Sequence, residues 1–163
     1  MNHTLREYND TDKESLKQMI EKLHDYVLSV DPIKRLRKMP GYVDHALEKL
    51  LKTYEENNGK IYLAVDEEKI IGFAFGFVGD TQSEENKLQV IPTQLGIIAD
   101  LYVEEAYRGT GVAELLMDAL EKYLKNSGCD SLWVDVFADN TRALSYYKKR
   151  GFVEREIGML KRI

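Results

Sequence analysis

Apolar positions along this chain fall into two rhythms. From Leu16 they recur at Met19, Ile20, Leu23, Tyr26, Val27 and Val30, three or four residues apart. That spacing predicts a helix with one apolar face, opened by the capping residues of "NDTD" and ended by Asp31-Pro32. A second helix carries Val43, Ala46, Leu47, Leu50, Leu51 and Tyr54 and stops near Asn57-Asn58-Gly59. A third carries Val112, Leu115, Leu116, Ala119, Leu120, Tyr123 and Leu124 and is closed by "NSG". A short fourth opens at Asn140 in "DNTRALSYYKKRG". The other rhythm is that of strands: "HTLREY", "KIYLAV", "KIIGFAFGFV", "LGIIADLYVEE", "SLWVDVFA" and a final "FVEREIGMLKRI". The second and third of these read as a hairpin across "DEEK". The fourth is nearly all apolar at its start, which places it centrally, with both faces covered. "IKRLRKMPG" is a basic connector and "GDTQSEENKLQVIPTQ" a polar loop. With no repeat and no linker, the chain reads as a single α/β domain over residues 1–163 with a mixed sheet.

Composition changes this picture little. At 163 residues, 44% apolar and 31% charged, the chain can bury a core of its own and reads as a soluble protein. No apolar run approaches the ~20 residues of a membrane span, and no secretory signal is visible, so a cytoplasmic protein without membrane partners is expected. A net charge of -5 argues against nucleic acid as a partner. The lone cysteine, Cys129, has no disulfide partner and reads as a small half-buried residue before a strand. Neither it nor His3, His24 or His45 falls at zinc-ligand spacing, so no metal is expected.

The stretch Tyr107–Leu116, "YRGTGVAELL", sets two glycines between a buried strand and a helix. The first turn of a helix has backbone N–H groups without internal partners and a partial positive charge. Glycine leaves room for a phosphate to approach them, and Arg108 adds charge. A loop that only needs positive φ at two places would carry the same glycines. A P-loop is excluded because its Lys-Ser/Thr is absent. A dinucleotide fingerprint is disfavoured because Glu114 stands where the third glycine belongs.

The run from Val103 to Ala113 resembles the signature of the GNAT superfamily of N-acetyltransferases, Arg/Gln-x-x-Gly-x-Gly/Ala, met here by Arg108, Gly111 and Ala113. A second block of that family is matched by Asn140, Ala143, Tyr147, Gly151 and Phe152. The order of elements resembles the family over nearly the whole chain. The resemblance implies a mixed, mostly antiparallel sheet of six or seven strands flanked by four helices. It also implies a V-shaped cleft between the fourth and fifth strands, where the pantetheine arm of acetyl-CoA lies like an added strand. It puts that role on Leu101, Tyr102 and Val103, with the Val103 N–H facing the thioester oxygen. The pyrophosphate would sit on the N–H groups of Arg108, Gly109, Thr110, Gly111, Val112 and Ala113. Asn140 and Ala143 would meet the arm, with Asn140 also serving as a helix cap. Lys148, Lys149, Arg150 and Arg142 would mostly form a solvated face, with the coenzyme 3′-phosphate as a second role. Tyr147 would donate a proton to the departing thiolate, while the adjacent Tyr146 packs.

Many relatives carry glutamate where this chain has Ala99, which puts a direct carboxylate base in doubt. Asp100, Glu104, Tyr26 or a water chain are the alternatives. Asp100 faces the opposite side from Ala99 unless a bulge re-aims the strand. The implied activity is transfer of acetyl from acetyl-CoA to a primary amine of a small molecule or peptide in a ternary complex. A catalytically silent module that binds acyl-CoA is the alternative. Twelve residues come after Gly151, room for one strand, and the edge this leaves makes a homodimer the expected assembly.

Overall fold

In a computed structural model, the structure describes residues 3–80 and 82–163. Five strands form one sheet in the order β1-β2-β3-β4-β5: β1 (Thr4–Glu7), β2 (Lys60–Asp66), β3 (Lys69–Val78), β4 (Leu95–Val103) and β5 (Ser131–Val134). The first three pairings are antiparallel and the last, β4 with β5, is parallel. A parallel pair needs a crossover, and α4 (Val112–Asn126) supplies it. The long helices α1 (Lys13–Val30) and α2 (Tyr42–Glu56) cover the other face. α5 (Thr141–Lys149) comes after β5, and its Tyr147 joins the α4-side core. A four-residue helix α3 (Glu84–Lys87), capped by Ser83, lies within the polar loop after β3.

Alternation along β3 divides large from small. Phe73, Phe75 and Phe77 pack with α1 and α2, among Leu16, Met19, Leu47 and Leu50. Gly72, Ala74 and Gly76 lie on the α4 side. The Leu116 side chain of α4 lies where a Cβ on Gly72 would point, Leu120 where one on Gly76 would, and Leu124 where one on Gly96 of β4 would. The three leucines are four apart and share one stripe of the helix. A Cβ on Gly76 would come within 2.7 Å of the Ile97 carbonyl oxygen and 3.1 Å of Leu120, so only glycine lets the helix seat this deeply.

Two expectations are corrected. Among the described residues the sheet has five strands, not six or seven, because "FVEREIGMLKRI" forms no strand. A strand needs a ladder partner, and β5 has only four residues to offer, Ser131–Val134. The tail is held by side chains instead: Arg155 over the Trp133 ring, Lys148 to Glu154 at 2.7 Å, and Arg162 to the Ile33 carbonyl at 2.8 Å. Val153, Ile157 and Met159 remain exposed. The described residues also hold five α-helices, not four, because Ser83 caps the extra turn of α3.

Gly76→Ala is expected to destabilise the fold by ~1–3 kcal/mol, the usual cost of overpacking. Gly158→Ala, where a Cβ meets nothing, should change stability by less than ~0.5 kcal/mol. Urea unfolding of the two variants checks the pair. Equal stability would mean that α4 does not seat on the sheet at this depth.

Candidate functional site

The central strand carries one extra residue. Phe75 of β3 pairs with Asp100 and the next residue, Gly76, pairs with Ile98, so Ala99 stands opposite nothing. This is a β-bulge. Ile98 is also the last residue of β4 paired with β5, opposite Val134. Beyond it, Asp100–Val103 keep β3 on one side and have no strand on the other among the described residues. The bulge re-aims the side chains beyond it. Ile98, Leu101 and Val103 join the α4-side core, while Tyr102 joins the α1–α2 side. Strand alternation then puts Asp100 on the side of Tyr102.

The backbone along this stretch alternates as well. The Glu104 N–H donates to the Ile71 carbonyl at 2.8 Å. Gly72 and Val103 are therefore a non-hydrogen-bonded pair. The polar backbone groups of Leu101 and Val103 face away from β3, toward the side β5 has left. Those of Tyr102 face β3, so of the three residues expected to meet an added strand, Tyr102 has no backbone group free to do so. Its buried side chain instead donates to Glu104 Oε2 at 3.1 Å.

At the carboxyl end of β4 the chain turns into α4. Gly109 and Gly111 have φ of +79° and +91°, and a Cβ on either would meet nothing within 4 Å. Positive φ alone accounts for both glycines. Gly111 is the N-cap residue and no side chain caps the helix, so the N–H groups of its first turn have no capping partner. Arg108 departs from expectation. Its N–H bonds the Glu105 carbonyl at 3.2 Å, and its Nε donates to the Val103 carbonyl at 3.0 Å. It clips the loop to β4 rather than presenting a backbone donor.

Across the split stands α5. Asn140 is its N-cap, and Oδ1 accepts the Ala143 N–H at 3.2 Å. Tyr147 is buried, with ring centroids 5.4 Å from both Tyr146 and Phe152. Burial holds its phenol well above the ordinary value, with smaller contributions from Tyr146 and Asp100. Asp100 is half-buried and has no hydrogen-bond or ion-pair partner among the described residues. Loss of hydration pushes its carboxyl up to about 6. Burial, with a smaller contribution from the Asp100 charge, raises Tyr42, which stacks on His24 at 3.9 Å between ring centroids.

Other expected or alternative residues are occupied elsewhere. Glu104 is bound by Lys22 at 2.6 Å. The Tyr26 hydroxyl donates to Asn140 at 3.1 Å. Arg150 pairs with Asp118 and Glu121, both at 2.8 Å, and Lys148 with Glu154. Of the basic residues near α5, Lys149 and Arg142 are exposed and without an ion pair among the described residues. Asp31, which the sequence marks only as a helix end, is buried and accepts the N–H groups of Ile33, Arg35 and Leu36, which holds its carboxyl below the usual range. A groove of about 1060 Å³ lies along β5, α5 and the tail. It shares Tyr147 with the split, but Asp100, Val103 and the glycine loop do not line it. Among the described residues, no cluster of His, Cys, Asp and Glu is placed to hold a metal, and no helix is long and apolar enough to cross a membrane.

A mixed α/β sheet whose fourth and fifth strands part beside a helix N-terminus with no side-chain cap is the frame these side chains share. The chain belongs to the acetyltransferase (GNAT) family, whose model matches residues 21–152. It is 35% identical over 72 residues to the uncharacterized N-acetyltransferase YycN of Bacillus subtilis, a match covering 44% of this chain and 46% of that protein. It is 25% identical over 119 residues to an aminoglycoside N(6')-acetyltransferase type 1 of Stenotrophomonas maltophilia, covering 69% and 72%. The match to YycN thus spans about half of that protein's length. Among solved structures, the aminoglycoside N-acetyltransferase AAC(6')-Iy, in complex with the bisubstrate analog CoA-S-monomethyl-acetylneamine, superposes with a TM-score of 0.73 at 18% identity. That likeness covers 100% of this chain and 99% of the other and shows the fold.

Because the Asp100 carboxyl titrates near 6 in the fold and near 3.8 in the open chain, the folded state binds more protons between these values. Stability should therefore fall as pH rises from about 4 to about 6. Asp100→Asn is expected to raise the melting temperature at pH 7.5 and to leave it nearly unchanged at pH 4, measured by calorimetry. No gain at pH 7.5 would mean that the carboxylate is well solvated.

Proposed function

We propose that residues 1–163 form one N-acetyltransferase domain that moves acetyl from acetyl-CoA to a primary amine by direct attack in a ternary complex. The observation that carries this reading is the split itself. The backbone groups of Leu101 and Val103 face a gap left by β5, beside the first turn of α4. The arm of acetyl-CoA would pair along Leu101 and Val103, past the side chain of Tyr102, with Asn140 and Ala143 on its other flank. The pyrophosphate would lie on the N–H groups of Gly109, Thr110, Gly111, Val112 and Ala113, with Arg108 bracing the loop. No metal takes part. Relatives named as N-acetyltransferases support the reaction class. An aminoglycoside enzyme among them favours a small, amine-bearing acceptor over a peptide.

The chemistry rests on two groups. An alkyl amine has pKa ~10.4, so at pH 7.5 only about one molecule in 10³ is neutral. That neutral fraction is the nucleophile, and Asp100, ionised above about 6, takes the one proton its nitrogen sheds as the N–C bond forms. The nitrogen bonds the acetyl carbon and the Val103 N–H faces the developing oxyanion. The C–S bond breaks with its electron pair on sulfur, and Tyr147 donates its proton there. Solvent then reprotonates Tyr147 and deprotonates Asp100, leaving the acetamide and a free thiol. Burial keeps Tyr147 protonated at every working pH, so it is always ready as a donor. The partner-free Asp100 favours this reading over a silent binding module, which has no use for a desolvated carboxylate.

Release of free thiol from acetyl-CoA across a panel of amines, read by mass spectrometry, tests the activity. Tyr147→Phe should lower kcat by ~10²-fold or more while acetyl-CoA affinity stays near wild type. Full kcat in that variant would return Tyr147 to a packing role. We also propose a cytoplasmic homodimer, supported by the open edge of β5 and the exposed Val153, Ile157 and Met159 beside it. Light scattering at high micromolar concentration should give twice the chain mass. A monomer there removes the dimer.

A further inference from the structure

Tyr26 of α1 connects three elements around the split. Its hydroxyl reaches Asn140 Oδ1 at 3.1 Å. Its ring lies under the Arg108 guanidinium, whose Cζ is 5.9 Å from the ring centroid. Arg108 Nε in turn donates to the Val103 carbonyl at 3.0 Å. A line of contacts thus runs from the end of β4 through the glycine loop and α1 to the start of α5.

The bond to Asn140 has a fixed sense. The Ala143 backbone N–H can only donate, so the Asn140 atom that caps α5 is the carbonyl oxygen. Tyr26 reaches that same oxygen, so it donates too. With both donors on Oδ1, the amide plane is pinned at one end. The other end, Nδ2, carries two hydrogens and no lone pair to offer. It has no acceptor among the described residues. Whatever lies beside α5 in the split therefore meets a donor and must bring an acceptor.

The geometry points to Tyr26 as a positioning residue for the acyl-carrying arm. It pins the Asn140 amide so that Nδ2 donates to an amide carbonyl of the arm, and it acts through Asn140 without touching substrate. This rests on the reading of the split proposed above. Tyr26 was a candidate base in the sequence; the structure turns its hydroxyl to Asn140 instead.

Steady-state kinetics with acetyl-CoA and with acetyl-pantetheine, which lacks the nucleotide and its phosphates, test this. Tyr26→Phe should raise KM for both donors by about five- to tenfold, the scale of one hydrogen bond, with kcat within about twofold. In an Asn140→Ala background the same change should add nothing to KM, because the residue it acts through is gone. Tyr26→His, which keeps a ring and a donor, should recover part of the loss. The melting temperature of each variant is read alongside. An unchanged KM with a lowered melting temperature would make Tyr26 structural and overturn the proposal. So would equal losses of KM with and without Asn140. A loss seen with acetyl-CoA alone would move the effect to Arg108 and the phosphates, and also overturn it. If the wild type neither binds nor turns over acetyl-CoA, the reading of the split fails first. If it does both and Tyr26→Phe matches it, only the role of Tyr26 fails.

Discussion

The depth at which α4 sits on the sheet decides where the parts of the cleft lie. Leu116, Leu120 and Leu124 can lie against Gly72, Gly76 and Gly96 only because those residues have no side chain. The opposite face of β3 carries Phe73 and Phe75 and fills the space under α1 and α2. One strand thus provides a shallow bed on one side and a thick core on the other. α4 runs back against β4, so its first turn ends up at the carboxyl end of that strand. The glycine loop then has to turn sharply between them, and the φ values of Gly109 and Gly111 record that turn. The helix field falls where the backbone of β4 is open. Without the close seat of α4, the N–H groups of its first turn and those of Leu101 and Val103 would not share one cleft.

The bulge at Ala99 is the second constraint. A regular strand would turn Asp100 toward the α4-side core with Ile98 and put a carboxylate among leucines. The extra residue rotates the strand, and Asp100 comes out on the other face, half-buried and still partly hydrated. The same rotation coincides with the end of the β5 ladder at Ile98. One irregularity therefore opens the cleft and aims the acid beside it. Bulges recur where a sheet stops pairing and a side chain must be redirected. The desolvation felt by Asp100 is the residual cost of this placement, and such costs gather at functional sites.

These constraints were legible to different degrees. The helical periods of α1, α2 and α4 were plain because an amphipathic stripe is repeated several times in each. The glycines of "YRGTGVA" marked the turn, although the structure shows that positive φ alone explains them. Asn140 was readable as a cap because capping chemistry is local. The final strand was misread because "FVEREIGMLKRI" alternates well enough, while a strand also needs a partner. That partner, β5, is shorter than "SLWVDVFA" suggested. Tyr26 stood out only as a candidate base; its bond to Asn140 was hidden in the stripe of α1, where a packing tyrosine and a bridging one carry the same spacing. Arg108 was read by its charge, and its inward turn to the Val103 carbonyl depends on a contact that no local pattern encodes. Ala99 announced a missing carboxylate, but only the pairing register shows that Asp100 is re-aimed.

Burial acts on Asp100 and Tyr147 in the same direction and yields opposite results. Both are raised, since desolvation disfavours an anion whichever group carries it. Asp100 starts low and reaches about 6, so at neutral pH it remains a carboxylate. Tyr147 starts high and rises further, so it remains a phenol. The cleft therefore holds one proton acceptor and one proton donor across the neutral range, and neither needs a charged partner to stay in that state. Each anion would raise the other's proton affinity, which links the two groups in the useful sense. Asp100 as an anion helps keep Tyr147 protonated. A protonated Asp100 would relieve that restraint, so the two protonation states are coupled.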